Sequence, residues 1–243
     1  MTNIQPDPQA LATRPVGDIV SEDYRRAAAL KRFGIDFCCG GRVPLGDACR
    51  KKGVSLDAVA EALSASDTHG TATLPRVDAW APGFLADYVV NEHHTYVRES
   101  IPVLRAFTEK VARVHGAERP ELVEVARLFG ALAAELETHM ASEEDVVFPA
   151  IKTLEGGTAN DRPALRDLVG DMEAEHDEAG RLMAEIRRLS DDYTPPEGAC
   201  NTYRSAFAKL EEFEDDLHRH VHLENHVLFP KALSLAGRPH QAA

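Results

Sequence analysis

Apolar residues return every three to four positions through the last two thirds of the chain, which is the period of a helix with one buried face. This pattern predicts four long helices, over residues 83–115, 120–154, 162–190 and 201–235. Pro102 lies inside the first of them and predicts a kink or local strain there. Because the loops between the helices are short, we expect an up-down-up-down four-helix bundle.

The first third of the chain has shorter periodic segments separated by glycine and proline, which predicts a small helical domain. Its helices are expected at residues 16–33, at 45–51 and beyond Ser55, a plausible N-cap. The aromatic content is 6% and helix-forming residues dominate, so we expect an all-α fold. The predicted organisation is a disordered tail at 1–14, the small domain at 15–66, a linker at 67–81, the bundle at 82–236 and a tail at 237–243.

Two polar side chains interrupt the apolar face of the fourth long helix. His220 and Glu224 are four residues, or one helical turn, apart in the middle of a stripe of Phe, Leu and Val residues. On the same helical wheel, His218, His222 and His226 point towards solvent. A buried carboxylate without a partner is costly, and a bound metal ion would remove that cost.

The same motif occurs earlier in the chain. The segment HMASEEDVVFP repeats the His-x-x-x-Glu spacing and the following Phe-Pro of HVHLENHVLFP, with the two histidines 81 residues apart. Two single histidines on the first and third helices are 82 residues apart, which indicates a duplicated helical hairpin. The four helices are thus expected to bring six candidate metal ligands together: His94, His139, Glu143, His176, His220 and Glu224. His94 is preferred to His93 because aliphatic residues share its helical face, whereas Ser100 shares that of His93.

The donor types restrict the choice of metal. Imidazole and carboxylate without thiolate suit iron, manganese or zinc. A structural zinc site would be closed with about four ligands, whereas six ligands that include two potentially bridging carboxylates suit a dinuclear iron centre better. We therefore expect two iron ions as the cofactor, with carboxylate and oxo bridges.

Five segments together resemble the di-iron iron–sulfur cluster repair family over nearly the whole chain. FCCGGRVPLGDAC resembles that family's short cysteine-containing domain, and HHTYVRESIP, HMASEEDVVFP, MEAEHDEAG and HVHLENHVLFP resemble the motifs of its hemerythrin-like domain. The resemblance implies a hemerythrin-like bundle in which Glu143 and Glu224 bridge two irons. The terminal ligands that it implies are His94, His139, His176 and His220.

One position separates the chain from the oxygen-carrying hemerythrins that the bundle also resembles. Those proteins carry a further histidine one turn after the ligand on the third helix, where this chain has Gly180. Absence of that ligand leaves room for a small molecule or for iron release and disfavours reversible oxygen carriage. Gly180 serving as a close helix–helix contact is the alternative.

Cys38 and Cys39 are adjacent and are followed by two glycines. The Cα atoms of neighbouring residues are about 3.8 Å apart, below the usual disulfide range, so a bond between the two would be strained. They are reactive thiols, a thiol pair that contacts a client's cluster or iron, or small buried residues; the resemblance favours a redox or interaction role. Cys49 could pair with either of them, and Cys200 is expected to be incidental in a loop.

Charge and composition exclude several classes of partner. The net charge of −13 argues against a nucleic acid or an anionic membrane as the partner. No apolar run is long enough to span a bilayer, and the first residues lack the features of a signal peptide, so a cytoplasmic location is expected. The oligomeric state is open, with a homodimer as one option.

The function follows from the resemblance rather than from the residues alone. It implies repair of iron–sulfur clusters damaged by nitrosative or oxidative stress, with the damaged proteins as clients and iron release from the dinuclear site as the mechanism. The alternatives are a di-iron nitric oxide reductase and a sensor of nitric oxide or dioxygen. No acid or base beyond the ligands is evident, so enzymatic activity is left open and no catalytic residue is assigned.

Overall fold

The computed structural model describes residues 8–68, 77–157 and 162–236, and over these ranges the chain is helical. The described residues contain no strand, and their one isolated β-bridge pairs Pro15 with Pro44. The all-α prediction is therefore confirmed. The described residues form two compact units: those up to Ala81 together with Val221–Lys231, and those of Pro82–His220 together with residues 232–236. None of the described helices combines the length and the apolar character needed to cross a membrane.

The first unit begins with short helices. They are α1 (Pro8–Ala12), α2 (Val16–Glu22), α3 (Arg26–Arg32), α4 (Leu45–Lys52) and α5 (Leu56–Thr68), followed by a 3₁₀ turn at Val77–Ala79. Residues 8–12 were predicted to belong to a disordered tail. They form a helix instead, and its Leu11 side chain is only 5% exposed. Residues 1–7, most of the predicted linker and the C-terminal tail lie outside the described residues.

The helix predicted over residues 16–33 is interrupted. Asp23 adopts an extended backbone, with φ −155° and ψ 104°, which ends α2. Its carboxylate accepts the backbone N–H of Arg25 at 3.0 Å, so the same side chain supports the start of α3. The apolar period continues across this break, which is why the pattern alone predicts one helix.

Residues 221–231 belong to the core of the first unit. His222 is 1% exposed, and its ring lies 5.8 Å from the rings of both Tyr24 and Phe37. Burial and the neighbouring His226 lower the pKa of His222 to about 3, so this imidazole is neutral near pH 7. The prediction that His222 faces solvent is wrong, because a wheel of one helix does not account for the apolar surface that residues 15–44 add.

His226 is also covered, contrary to the same prediction. Its Nε2 lies 2.7 Å from the backbone oxygen of Cys38. A Cβ atom on Gly17 or Gly41 would come within 2.4 and 2.3 Å of the imidazole, so only glycine leaves room for the ring on these two sides. His218, by contrast, is half-buried.

The four predicted long helices lie beyond Pro82 and, apart from residues 221–231 of the fourth, belong to the second unit. The first comprises α6 (Pro82–Tyr88), a π-helical turn (Val89–His94) and α7 (Thr95–His115); the second comprises α8 (Glu121–Ser142), a π turn (Glu143–Val147) and α9 (Phe148–Glu155); the third is α10 (Arg162–Leu189); the fourth comprises α11 (Asn201–Leu223), a π turn (Glu224–Leu228) and α12 (Phe229–Ala236). The hydrophobic pattern did not predict the π turns. They coincide with three candidate ligands, as such wide turns often do at functional sites.

Side-chain contacts show the direction of two pairs of helices. Glu144 contacts Arg98 near the start of α7, while Gly116 at its far end lies against Val123 of α8, so the first and second helices are antiparallel. His93 contacts Asp216 and His115 contacts Cys200, so the first and fourth helices are antiparallel too. α7 remains helical on both sides of Pro102, and the irregular turn of this helix lies earlier, at Val89–His94.

Candidate metal centre

All six predicted ligands are buried, with exposed fractions between 0% and 4%. The π turns and their neighbouring helices place them: His94 ends the first π turn, Glu143 begins the second, and Glu224 begins the third. The three other histidines lie in regular α-helix, namely His139 in α8, His176 in α10 and His220 in α11.

Within the bundle unit, five of the six converge. His94, Glu143 and His220 form one group whose potential ligand atoms lie within 4.8 Å of one another, and His139, Glu143 and His176 form a second such group. Glu143 is common to both: its Oε2 lies 3.2 Å from His94 Nε2 and 3.4 Å from His139 Nε2. A shared carboxylate between two groups of imidazoles is the arrangement expected of a bridging ligand.

Glu224 lies one turn beyond His220 in the same uninterrupted helical segment. Its side chain is fully buried. The continuity of the helix at this point keeps Glu224 on the face that His220 occupies.

The donor set fits iron. The Nε2 atoms of His139 and His176 lie 3.0 Å apart, and the buried Glu143 carboxylate accompanies the four imidazoles. A carboxylate taken out of water carries a large desolvation cost, which divalent cations between it and the imidazoles would offset. Neutral imidazole and carboxylate are ligands for iron, manganese or zinc, and neither group contains a thiolate.

Two further carboxylates contact the Nδ1 atoms of candidate ligand histidines, on the side of the ring opposite Nε2. Glu144 Oε1 lies 2.6 Å from His94 Nδ1, and Glu175 Oε2 lies 2.6 Å from His139 Nδ1. A carboxylate at Nδ1 fixes the tautomer and orientation of the ring, so that Nε2 is presented to the metal. Sequence reasoning missed both residues, although each is adjacent in sequence to a predicted ligand.

Arg98 helps to hold Glu144 in place. Its Nη2 donates to Glu144 Oε1 over 2.7 Å. Partial burial alone would raise the pKa of Glu144, but the hydrogen bonds from His94 and Arg98 outweigh this effect and keep the pKa below its ordinary value. Glu144 is therefore a carboxylate at neutral pH and can accept a hydrogen bond from the Nδ1–H group of His94.

Replacement of Glu144 by alanine is expected to weaken iron binding about 10- to 100-fold, because His94 loses the group that orients its ring. Competition with a chelator of known affinity measures the change. Glu178→Ala is the matched control, since Glu178 is an exposed glutamate that pairs with Arg181 on the same helix and contacts no ligand in the described structure. Equal affinities of the two variants would show that Glu144 has no orienting role.

His93 has a separate place from its neighbour His94. It is buried, its Nδ1 lies 2.9 Å from Asp216 Oδ1, and its ring stacks on that of His220 at 5.6 Å. The structure thus places His94, rather than His93, in a ligand group. Both are buried because the π turn that contains them does not follow the regular wheel.

The cysteines are all free thiols. Cys38 is buried and Cys39 is half-buried, with their Sγ atoms 3.8 Å apart. Cys49 is buried and has formed no disulfide with either of them. Cys200 is exposed, and a hydrogen bond with His115, whose Nε2 is 3.6 Å away, lowers the pKa of its thiol. Gly180, one turn beyond His176, is half-buried in α10.

Comparison with known proteins agrees with this architecture. A family model described as the hemerythrin HHE cation binding domain matches residues 85–232, and the ScdA N-terminal model, described as a domain of unknown function (DUF542), matches residues 12–67. The chain is 32% identical to the iron-sulfur cluster repair protein ScdA of Staphylococcus haemolyticus, over 89% of this chain and 96% of the relative.

Two further relatives cover a similar extent. The iron-sulfur cluster repair protein YtfE of an Enterobacter species is 34% identical over 93% of this chain and 99% of its own, and YtfE of Yersinia pestis is 36% identical over 86% and 91%. The buried histidine and glutamate groups lie inside the region that the hemerythrin model matches. The chain therefore belongs to the family of iron–sulfur cluster repair proteins that carry a hemerythrin HHE cation binding domain.

Proposed function

We propose that this protein repairs damaged iron–sulfur clusters by releasing iron from a dinuclear site in its bundle. The observation that carries the proposal is the pair of buried groups that share Glu143, since a shared carboxylate holds two cations at once. The names of the relatives, iron-sulfur cluster repair proteins, support the cellular role. Clusters damaged by nitrosative or oxidative stress would be the substrates.

In the proposed site, each of the two groups of residues holds one iron ion. His94 and His220 would hold one iron, and His139 and His176 would hold the other. Glu143 and Glu224 would bridge them, and Glu144 would keep the His94 ring in position. Bound iron supplies a ferric and a ferrous state, and the ferrous ion is held less tightly by carboxylates, so an external one-electron reductant would favour its release.

The test is a transfer experiment with the full chain loaded with isotopically labelled iron. The protein is incubated without oxygen with an apo iron–sulfur acceptor, sulfide and a reductant, and the labelled iron in the re-isolated acceptor is counted. We expect label and cluster absorption to appear in the acceptor, and to fall sharply when the reductant is omitted.

A parallel incubation with nitric oxide added tests the alternative function. If nitric oxide is converted to nitrous oxide over many turnovers while the iron stays bound and the acceptor gains none, the protein is a nitric oxide reductase. Iron that remains bound under every condition, without turnover of nitric oxide, would contradict both functions.

A further inference from the structure

A second group of potential metal ligands lies in the loop between α3 and α4, within the first unit. The Asp36 carboxylate accepts the backbone N–H groups of Cys38, Cys39 and Gly40 at 2.9, 3.1 and 2.9 Å. The Cys38 thiol lies 3.3 Å from Asp36 Oδ1 as a fourth donor. Two carboxylate oxygens offer about four lone-pair sites, so loss of the thiol proton would make one of them available.

The two sulfur atoms have the separation of a chelating pair. The Cys38 and Cys39 Sγ atoms are 3.8 Å apart, and a tetrahedral cation with metal–sulfur bonds of about 2.3 Å holds two thiolates about 3.8 Å apart. A disulfide needs about 2.05 Å between the sulfurs. One ligand atom from each of Asp36, Cys38 and Cys39 lies within 4.8 Å of the others.

The loop that carries these side chains is held by several contacts. Gly17 donates its backbone N–H to Gly41 at 2.7 Å, and His226 Nε2 lies 2.7 Å from the carbonyl oxygen of Cys38. The ligands are therefore positioned before any ion arrives, which reduces the entropy lost on binding. Asp36 is exposed and Cys39 is half-buried, so the group is open to solvent on one side.

We propose that Asp36, Cys38 and Cys39 bind one thiophilic divalent cation of the first transition row, such as Zn²⁺ or Fe²⁺, in a mononuclear site separate from the bundle ligands. Binding replaces two thiol protons, which pass to solvent, and forms two metal–thiolate bonds and one metal–carboxylate bond. Two thiolates, one carboxylate and the divalent cation together have a net charge of −1, and a water molecule is the fourth ligand. Two thiolates select such cations over Mg²⁺ or Ca²⁺.

In the metal-free protein the Cys38 thiol is protonated. The adjacent Cys39 thiol, burial and the Asp36 carboxylate together raise the pKa of Cys38 well above its ordinary value. A bound cation reverses this balance because it stabilises the thiolate directly.

The experiment is a titration of the full, reduced chain with Co²⁺, whose sulfur-to-metal charge-transfer absorption in the near ultraviolet reports thiolate ligation. The Glu143→Ala/Glu224→Ala variant is used beside the wild type, so that failure of the bundle site does not affect the readout. We expect one equivalent of Co²⁺ to produce the band in the variant, and further equivalents to produce it in the wild type, whose bundle ligands also bind Co²⁺. One equivalent of Zn²⁺ should displace the cobalt in the variant and remove the band.

Three variants assign the ligands. Cys39→Ser should abolish the band, and Asp36→Asn should weaken Co²⁺ binding about tenfold. Cys200→Ser is the matched control, because Cys200 is an exposed thiol beside His115 that could bind cobalt by itself, and this variant should keep the band. Circular dichroism confirms that each variant is folded. No charge-transfer band, or a band that survives Cys39→Ser and disappears in Cys200→Ser, would overturn the proposal.

Discussion

Replacement of both Glu143 and Glu224 by alanine is expected to lower bound iron from about two ions per chain to well below one. Glu143 is fully buried and lies within 3.4 Å of an imidazole nitrogen of each group, so its removal takes one ligand from both metal positions. Glu224 is the second bridging carboxylate of the proposed site, and its side chain is fully buried. Four imidazoles then remain without anionic ligands to balance the charge of two irons.

Iron content by atomic spectroscopy and the visible absorption of the ferric protein measure this effect. The bundle should stay folded, because alanine favours helix and two buried carboxylates have been removed rather than left without a partner. The double variant Glu178→Ala/Glu185→Ala is the control: both residues are exposed glutamates paired with arginines three positions later. One zinc ion per chain, or iron unchanged in the Glu143 and Glu224 variant, would contradict the dinuclear site.

The largest effect on stability is expected at Arg187. Replacement by alanine should lower the free energy of unfolding by about 3–5 kcal/mol, because it leaves the charge of Glu214 buried without its partner. Glu214 is 2% exposed, and Arg187 Nε lies 3.0 and 2.9 Å from its two carboxylate oxygens. The guanidinium also lies over the ring of Tyr193, 4.7 Å from its centre, and the Tyr193 hydroxyl donates to Glu214 at 3.3 Å.

This cluster also holds the connection between α10 and α11. Asp191, Asp192 and Tyr193 follow one another in the left-handed region, with φ of 51°, 52° and 56°, which is unfavourable for residues other than glycine. Arg187 donates to Asp192 at 3.2 Å, so the same side chain stabilises both the buried carboxylate and this strained turn.

Denaturant unfolding of the metal-free proteins provides the measurement. Arg188→Ala is the matched control, since the neighbouring arginine is exposed and pairs only with Glu185 in the described structure; its effect should fall within experimental error. The double variant Arg187→Met/Glu214→Leu should recover most of the stability, because no buried charge remains. A loss at Arg187 no larger than that at Arg188 would show that Glu214 is not stabilised by this pair.

The helical period predicted the bundle and the buried positions of the six candidate ligands, because one buried face per helix is a local property of the sequence. At His93 and His94 the helical wheel does not predict which side chains are buried, since both are. The π turn rotates the face at that point, and no propensity of the segment VVNEHH predicts a wide turn. That the six residues bind iron stays a prediction until metal is measured.

Contacts between distant segments were not predictable in the same way. Glu144 and Glu175 act on histidines from other helices, and only the packing of the bundle shows which charged residue beside a ligand reaches a ring nitrogen. His222 was assigned to solvent because its covering residues, Tyr24 and Phe37, are nearly 200 positions away in the chain. A helical wheel carries no information of that kind.

The placement of residues 221–231 in the first unit has a consequence for inheritance. A gene fragment that encodes only the residues up to 81 would omit His222 and His226, and with them the ring contacts of Phe37 and the imidazole that lies between two glycines. Recombination at the linker would therefore separate Gly17 and Gly41 from the side chain for which they leave room. The cysteine-containing segment and the last turns of the fourth helix must be inherited together, although the rest of the bundle is encoded between them.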